Sequence, residues 1–121
     1  MSSALRRSNL PPEDRIRLQH MLEAAETVGT FIASRDRAAL DRNRMLLFAL
    51  VRAIEILREA ATKLSAETRQ AAPDMPWSQI TAMRNRLIHA YFEIDPDILW
   101  KTAEEEIPEL RRTLLALIAE S

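Results

Sequence analysis

Apolar residues recur at helical spacing along most of the chain. Ile16, Met21, Leu22, Ala25, Val28, Phe31 and Ile32 form one stripe that stops around Ser34 and predicts a first long helix. Pro11 and Pro12 suit its entry, and Glu13 and Asp14 are favourable near its positive end. The following "SRDRAAL" reads as a charged connection. A second helix is predicted from about Asp41 to Leu64. Its middle, Met45 to Val51, is apolar almost all round, as expected of a helix central to a bundle. Arg52, Glu55, Arg58 and Glu59 form a polar strip at three- and four-residue spacings, the pattern of a solvated face with weak ion pairs. "SAETRQAAPDMP" reads as a short helical turn closed by Pro73 and Pro76. A third long element is predicted from Trp77 to about His89, burying Trp77, Ile80, Met83, Leu87 and Ile88. Asp95 followed by Pro96 is a start signal, an N-cap and then proline at the first helical position. The last helix places Leu99, Ala103, Ile107, Leu110, Leu114 and Leu117 on one face, and Pro108 is expected to kink or split it. Four long helices with short connections predict an all-α, antiparallel four- to five-helix up-and-down bundle.

Composition supports the helical reading. The single glycine, Gly29, and six prolines leave little material for β-hairpin turns. The 121 residues are expected to form one domain, residues 1–121, able to bury roughly two-thirds of the unfolded surface. Net charge is −1, with +2 over residues 1–60 and −3 over residues 61–121, so any nucleic-acid contact must come from a local patch. The chain has no cysteine, which rules out disulfides and thiolate metal sites and fits a reducing compartment. "MSSALRRSNL" has no apolar core of signal-peptide length, and "MLLFALV" is far too short to span a bilayer. A cytoplasmic protein with no membrane contact is expected.

The candidate chemistry lies in "MRNRLIHAYFEID", residues 83–95. Of only two histidines and one tyrosine in the chain, one of each falls here, close to an arginine: Arg84, His89 and Tyr91. Each has an ordinary explanation. His89 suits a helix C-terminus electrostatically, His20 suits a surface, Arg84 and Arg86 suit solvent, and Tyr91 can pack its ring while exposing its hydroxyl. On an ideal helix of about 100° per residue, Arg84 and His89 stand about 140° apart, whereas Asn85 and His89 are only about 40° apart. Asn85 is therefore placed to orient the imidazole. Arg84 joins the same site if the helix loosens, if its side chain curls round, or if two copies of the chain build the site together.

The run "RNRLIHAY", an arginine, four residues, a histidine, one residue and a tyrosine, sits within "MPWSQITAMRNRLIHAYFEIDPDILWKTAEEEIPEL". With "AIEILREAATKLS" before it, this resembles the HepT-like branch of the HEPN superfamily, all-helical ribonuclease toxins. The likeness covers most of the chain from about residue 40. It implies Arg84 and His89 as the catalytic pair, with Asn85, Arg86 and Glu59 in support. It also implies an RNA substrate, a homodimer that joins two arginine–histidine sets in one cleft, and a nucleotidyltransferase antitoxin that attaches AMP to Tyr91. The chain departs from the family pattern at Arg58, in Arg58-Glu59-Ala60, and at Ala90, where glycines are common.

This chemistry suits RNA, which carries its own nucleophile, the 2′-hydroxyl beside each phosphate. A histidine with a pKa near ~6.5 can move the proton, and an arginine fork can hold the phosphate as charge develops. No metal or other cofactor is expected. Glu93, Asp95 and Asp97 raise the thought of magnesium, but Asp95 is better explained as a helix cap. The competing reading is a catalytically idle HEPN module that binds a nucleotidyltransferase or a nucleotide, with Arg84 and Arg86 on phosphate and His89 structural.

Overall fold

The computed structural model describes residues 10–89 and 93–120, with His89 described for its backbone alone. In chain order the helices are α1 (Pro12–Ile32), α2 (Ala39–Arg42), α3 (Arg44–Thr62), α4 (Ala66–Ala71) and α5 (Trp77–Leu87). They are followed by α6 (Pro96–Lys101), a π-helical turn (Thr102–Glu106) and α7 (Ile107–Glu120). The predicted all-α bundle is what forms. α1 packs against α3 and α7, and α3 also against α5. Leu18, Met21 and Val28 of α1 meet Leu50, Ile54 and Leu57 of α3, Ile80 and Leu87 of α5, and Ile107, Leu114 and Leu117 further on, all fully buried. Each such side chain contributes about 1.5–3 kcal/mol by leaving water. Among the described residues no helix is long and apolar enough to cross a membrane.

Several expected boundaries shift, each for a local reason. The second helix does not run unbroken from Asp41. Asn43 adopts an extended conformation and its side chain accepts from the Leu46 N–H at 3.0 Å, so α3 starts afresh behind an N-cap. The middle of α3 is not enclosed either. Leu46, Leu50, Ala53, Ile54 and Leu57 face the core, whereas Met45 is 78% exposed and Phe48 50%. On α1, Ile16 points to solvent and Leu18 takes the buried position. Trp77 is only half-buried, and its Nε1–H is shared between the carbonyls of Arg69 (3.1 Å) and Ala72 (3.0 Å), fastening α4 to the start of α5. Pro108 does not divide the last helix. In the π turn before it the Ile107 N–H reaches the Thr102 carbonyl, and Pro108, which has no N–H to place, follows within the first turn of α7.

Asp14 is more than a charge at a helix end. It is buried and accepts from Ser65 Oγ at 2.6 Å, from the Ser65 N–H at 3.3 Å and from the Thr68 hydroxyl. Ser65 in turn caps α4, so one carboxylate ties the start of α1 to the start of α4. Burial alone would raise its pKa. The bonds from Ser65 and Thr68, with Arg17 nearby, outweigh that and hold it below its usual 3.8. Because the folded pKa is depressed, the contribution is complete above the unfolded value and is lost as pH falls through the folded one, below 3.8. Asp14→Ala is expected to destabilise the protein by about 2 kcal/mol at neutral pH, because two hydroxyls and an amide lose their acceptor. Thermal melts of both proteins at neutral pH and in acid check this. The gap between them should narrow in acid.

Candidate active site

α5 ends sooner than its sequence pattern suggests, and this shapes the site. The last helical residue is Leu87, and Ile88 is already extended, with φ −100° and ψ 115°. Ile88 and His89 (β1) then pair antiparallel with Glu93 and Ile94 (β2), Ile88 opposite Ile94 and His89 opposite Glu93. The Asp95 N–H closes the ladder on the Leu87 carbonyl at 2.9 Å. Ile88 and Ile94 are both half-buried, and Ile94 packs on the core. Two β-branched residues facing each other on a half-buried surface favour a strand over another turn of helix. His89 therefore stands on a strand, and the angles of 140° and 40° expected from an unbroken helix do not apply. The His89 side chain and Tyr91 lie outside the described residues.

The last turn of α5 sends its polar side chains in different directions. Arg84 turns toward α3, where its Nε donates to Glu55 Oε2 at 3.4 Å. Its side chain is 42% exposed and that of Glu55 25%. Among the described residues the Arg84 side chain has no other polar partner. The other oxygen of Glu55, Oε1, lies 3.7 Å from Arg52 Nη1, and the same Arg52 nitrogen lies 3.6 Å from Glu59 Oε2. The polar strip of α3 is thus a row of alternating charge that ends on Arg84, not an isolated solvated face. Arg58 donates from Nε to the Thr81 carbonyl at 2.8 Å and ties α3 to α5 one turn before Arg84.

Arg86 lies on a different side. Its guanidinium forks onto Glu106 of the π turn, Nη1 to Oε2 at 3.2 Å and Nη2 to Oε1 at 3.0 Å, with a longer bond to the Gln79 carbonyl. Beside it is a groove of about 420 Å³ lined by Asp74, Gln79, Glu105, Glu106 and Glu109, among others. So many carboxylates repel a polyanion on this side of α5. Asn85 is exposed.

Two acidic residues after the motif, Asp95 and Asp97, are engaged elsewhere. Asp95 caps α6, accepting from the Asp97 and Ile98 N–H groups at 3.0 and 3.1 Å, as its sequence position predicts. Asp97 receives Arg37 Nε at 2.6 Å, and Arg37 also bonds Asp41. Among the described residues no group of three histidine, aspartate or glutamate side chains is gathered to hold a metal.

A family model described as "Ribonuclease HepT-like" matches residues 21–117, which include the α3 strip, Arg84 and the ladder. The chain belongs to the HepT-like ribonuclease family. A candidate RNase of Methanocaldococcus jannaschii is 36% identical over 95 residues, 78% of this chain and 87% of that protein. A probable ribonuclease HepT of Thermococcus cleftensis is 44% identical over 64 residues, 53% of this chain and 58% of that protein. A candidate RNase of Caldanaerobacter subterraneus is 33% identical over 101 residues, 84% and 90% of the two chains. No solved structure matches the chain. In this HepT-like protein, Glu55 is the residue at the site that sequence reading placed in solvent. Its spacing from Arg52 and Glu59 was visible, but which helix that strip would meet was not.

Proposed function

We propose that this HepT-like protein, as a single domain, is a metal-independent endoribonuclease and the toxin of a toxin–antitoxin pair. The observation that carries the reading is the match to a ribonuclease family across residues 21–117, with Arg84 and His89 inside it. His89 moves the proton of the 2′-hydroxyl or of the leaving oxygen, and Arg84 stabilises the phosphate oxygens as charge builds. Asn85, exposed beside Arg84, is open to the RNA, Glu59 acts through Arg52, and Arg86 anchors α5 to the π turn through Glu106. One histidine cannot be acid and base at the same instant, so a second copy of the chain supplies the other. Exposed Met45 and Phe48, on the strip side of α3, support a face that such a copy covers. A nucleotidyltransferase partner neutralises the protein by placing AMP on Tyr91, and the pair works in the cytoplasm.

Incubation of the purified protein with total cellular RNA in excess EDTA tests the reading. Cleavage is expected to persist and to leave a cyclic phosphate or 3′-phosphate end, as attack by the 2′-hydroxyl requires. Cleavage that stops on chelation and returns with magnesium would refute the mechanism. Sedimentation in the same buffer should show a dimer at micromolar concentration; a monomer that cleaves RNA would refute the shared cleft. No cleavage under any condition, with tight binding to a nucleotidyltransferase, would favour the idle HEPN module.

A further inference from the structure

The charged row on α3 ends on the arginine proposed to hold the scissile phosphate, and its geometry is specific. An arginine side chain turns about several bonds, and its guanidinium meets a phosphate well only when the plane is fixed. Glu55 takes only the Nε–H of Arg84, through Oε2 at 3.4 Å, and leaves both terminal nitrogens without a polar partner among the described residues. Those two nitrogens make the fork that grips two phosphate oxygens. Glu55 is itself held, because its other oxygen faces Arg52, which also faces Glu59. The carboxylate is thus fixed between two cations and aims one of them.

We infer that Glu55 is a positioning residue for RNA cleavage, orienting Arg84 so that its terminal nitrogens face the scissile phosphate. This rests on the ribonuclease reading of the site. Glu55 acts through Arg84 and does not touch the RNA. An ion pair of this exposure contributes little to folding, so its loss should show in the reaction and not in the melt.

A double-mutant cycle on the full chain tests the inference, with wild type, Glu55→Ala, Arg84→Ala and the double variant assayed on one RNA substrate. Glu55→Ala is expected to lower kcat by about 10- to 100-fold, the effect of misplacing a catalytic group by about an ångström, with KM nearly unchanged. Glu55→Gln, which keeps an acceptor for the Nε–H, should recover much of the loss. In the Arg84→Ala background, removing Glu55 should cost nothing further. An equal loss in both backgrounds overturns the inference, since Glu55 would then act on its own. A wild-type rate in Glu55→Ala, or a melting point that falls together with the rate, overturns it as well. Hydrogen exchange of the Arg84 Nε–H, followed by NMR, reads the contact without reference to activity. It should be slow in wild type and fast in Glu55→Ala, and fast exchange in wild type also overturns the inference. A wild-type protein that cleaves no RNA overturns the ribonuclease reading and the role of Glu55 with it, while slow exchange would still establish the contact.

Discussion

His89→Ala is expected to lower RNA cleavage by about 10²–10⁴-fold, the usual contribution of a positioned general acid or base. The same substitution should leave the bundle folded. The backbone of His89 pairs with Glu93, next to Ile88 opposite Ile94, and a backbone pairing survives the change of side chain. A stability change of about 1 kcal/mol or less is expected, within the range of ordinary single substitutions. Cleavage assays beside thermal melts separate the two effects. A well-folded His89→Ala protein that cleaves at the wild-type rate would remove His89 from the mechanism. Arg84→Lys is the companion change. It keeps the charge but loses both the fork and the Nε–H that Glu55 holds, so activity should fall well below wild type.

The periodic part of the fold was legible in the sequence. Met21, Leu22, Ala25 and Val28, or Leu110, Leu114 and Leu117, repeat at helical spacing because one face of each helix meets the core. The N-cap at Asp95 was legible for a similar reason, since its bonds run to residues two and three positions on. Features that depend on a distant partner were not. Nothing near Asp14 announces that it is buried against Ser65 and Thr68, about fifty residues later in the chain. Nothing near Ile88 marks the end of α5, because the cause is the pairing with Ile94, six residues on. At the site, Arg84 was legible as a motif residue, while its contact with Glu55 required knowing which helix lies alongside. The same missing information separates Arg84 from Arg86, neighbours in sequence whose partners, Glu55 and Glu106, lie on different helical segments.

Attachment of AMP to Tyr91 is expected to abolish cleavage, and Tyr91→Phe to make the protein resistant to its antitoxin. Tyr91 follows His89 by two residues, between the two short strands. Each added nucleotide brings one phosphodiester charge and a bulky base. In a site suited to an RNA phosphate, that charge competes for the terminal nitrogens of Arg84, and the base excludes substrate by volume. Glu55 adds to the effect in an indirect way. With its carboxylate on the Nε side of Arg84, an anion is favoured only at the terminal nitrogens, where substrate and the attached AMP phosphate would compete. Incubation with the cognate nucleotidyltransferase and ATP, followed by intact-mass measurement and a cleavage assay, checks the expectation. Wild type should gain one or more AMP units and lose activity, whereas Tyr91→Phe should gain none and stay active. Arg84→Lys should still gain AMP, since Arg84 is assigned to the substrate and not to the transfer. If wild type keeps its mass while the partner still silences it, inhibition comes from covering the cleft, and Tyr91 has no part in it.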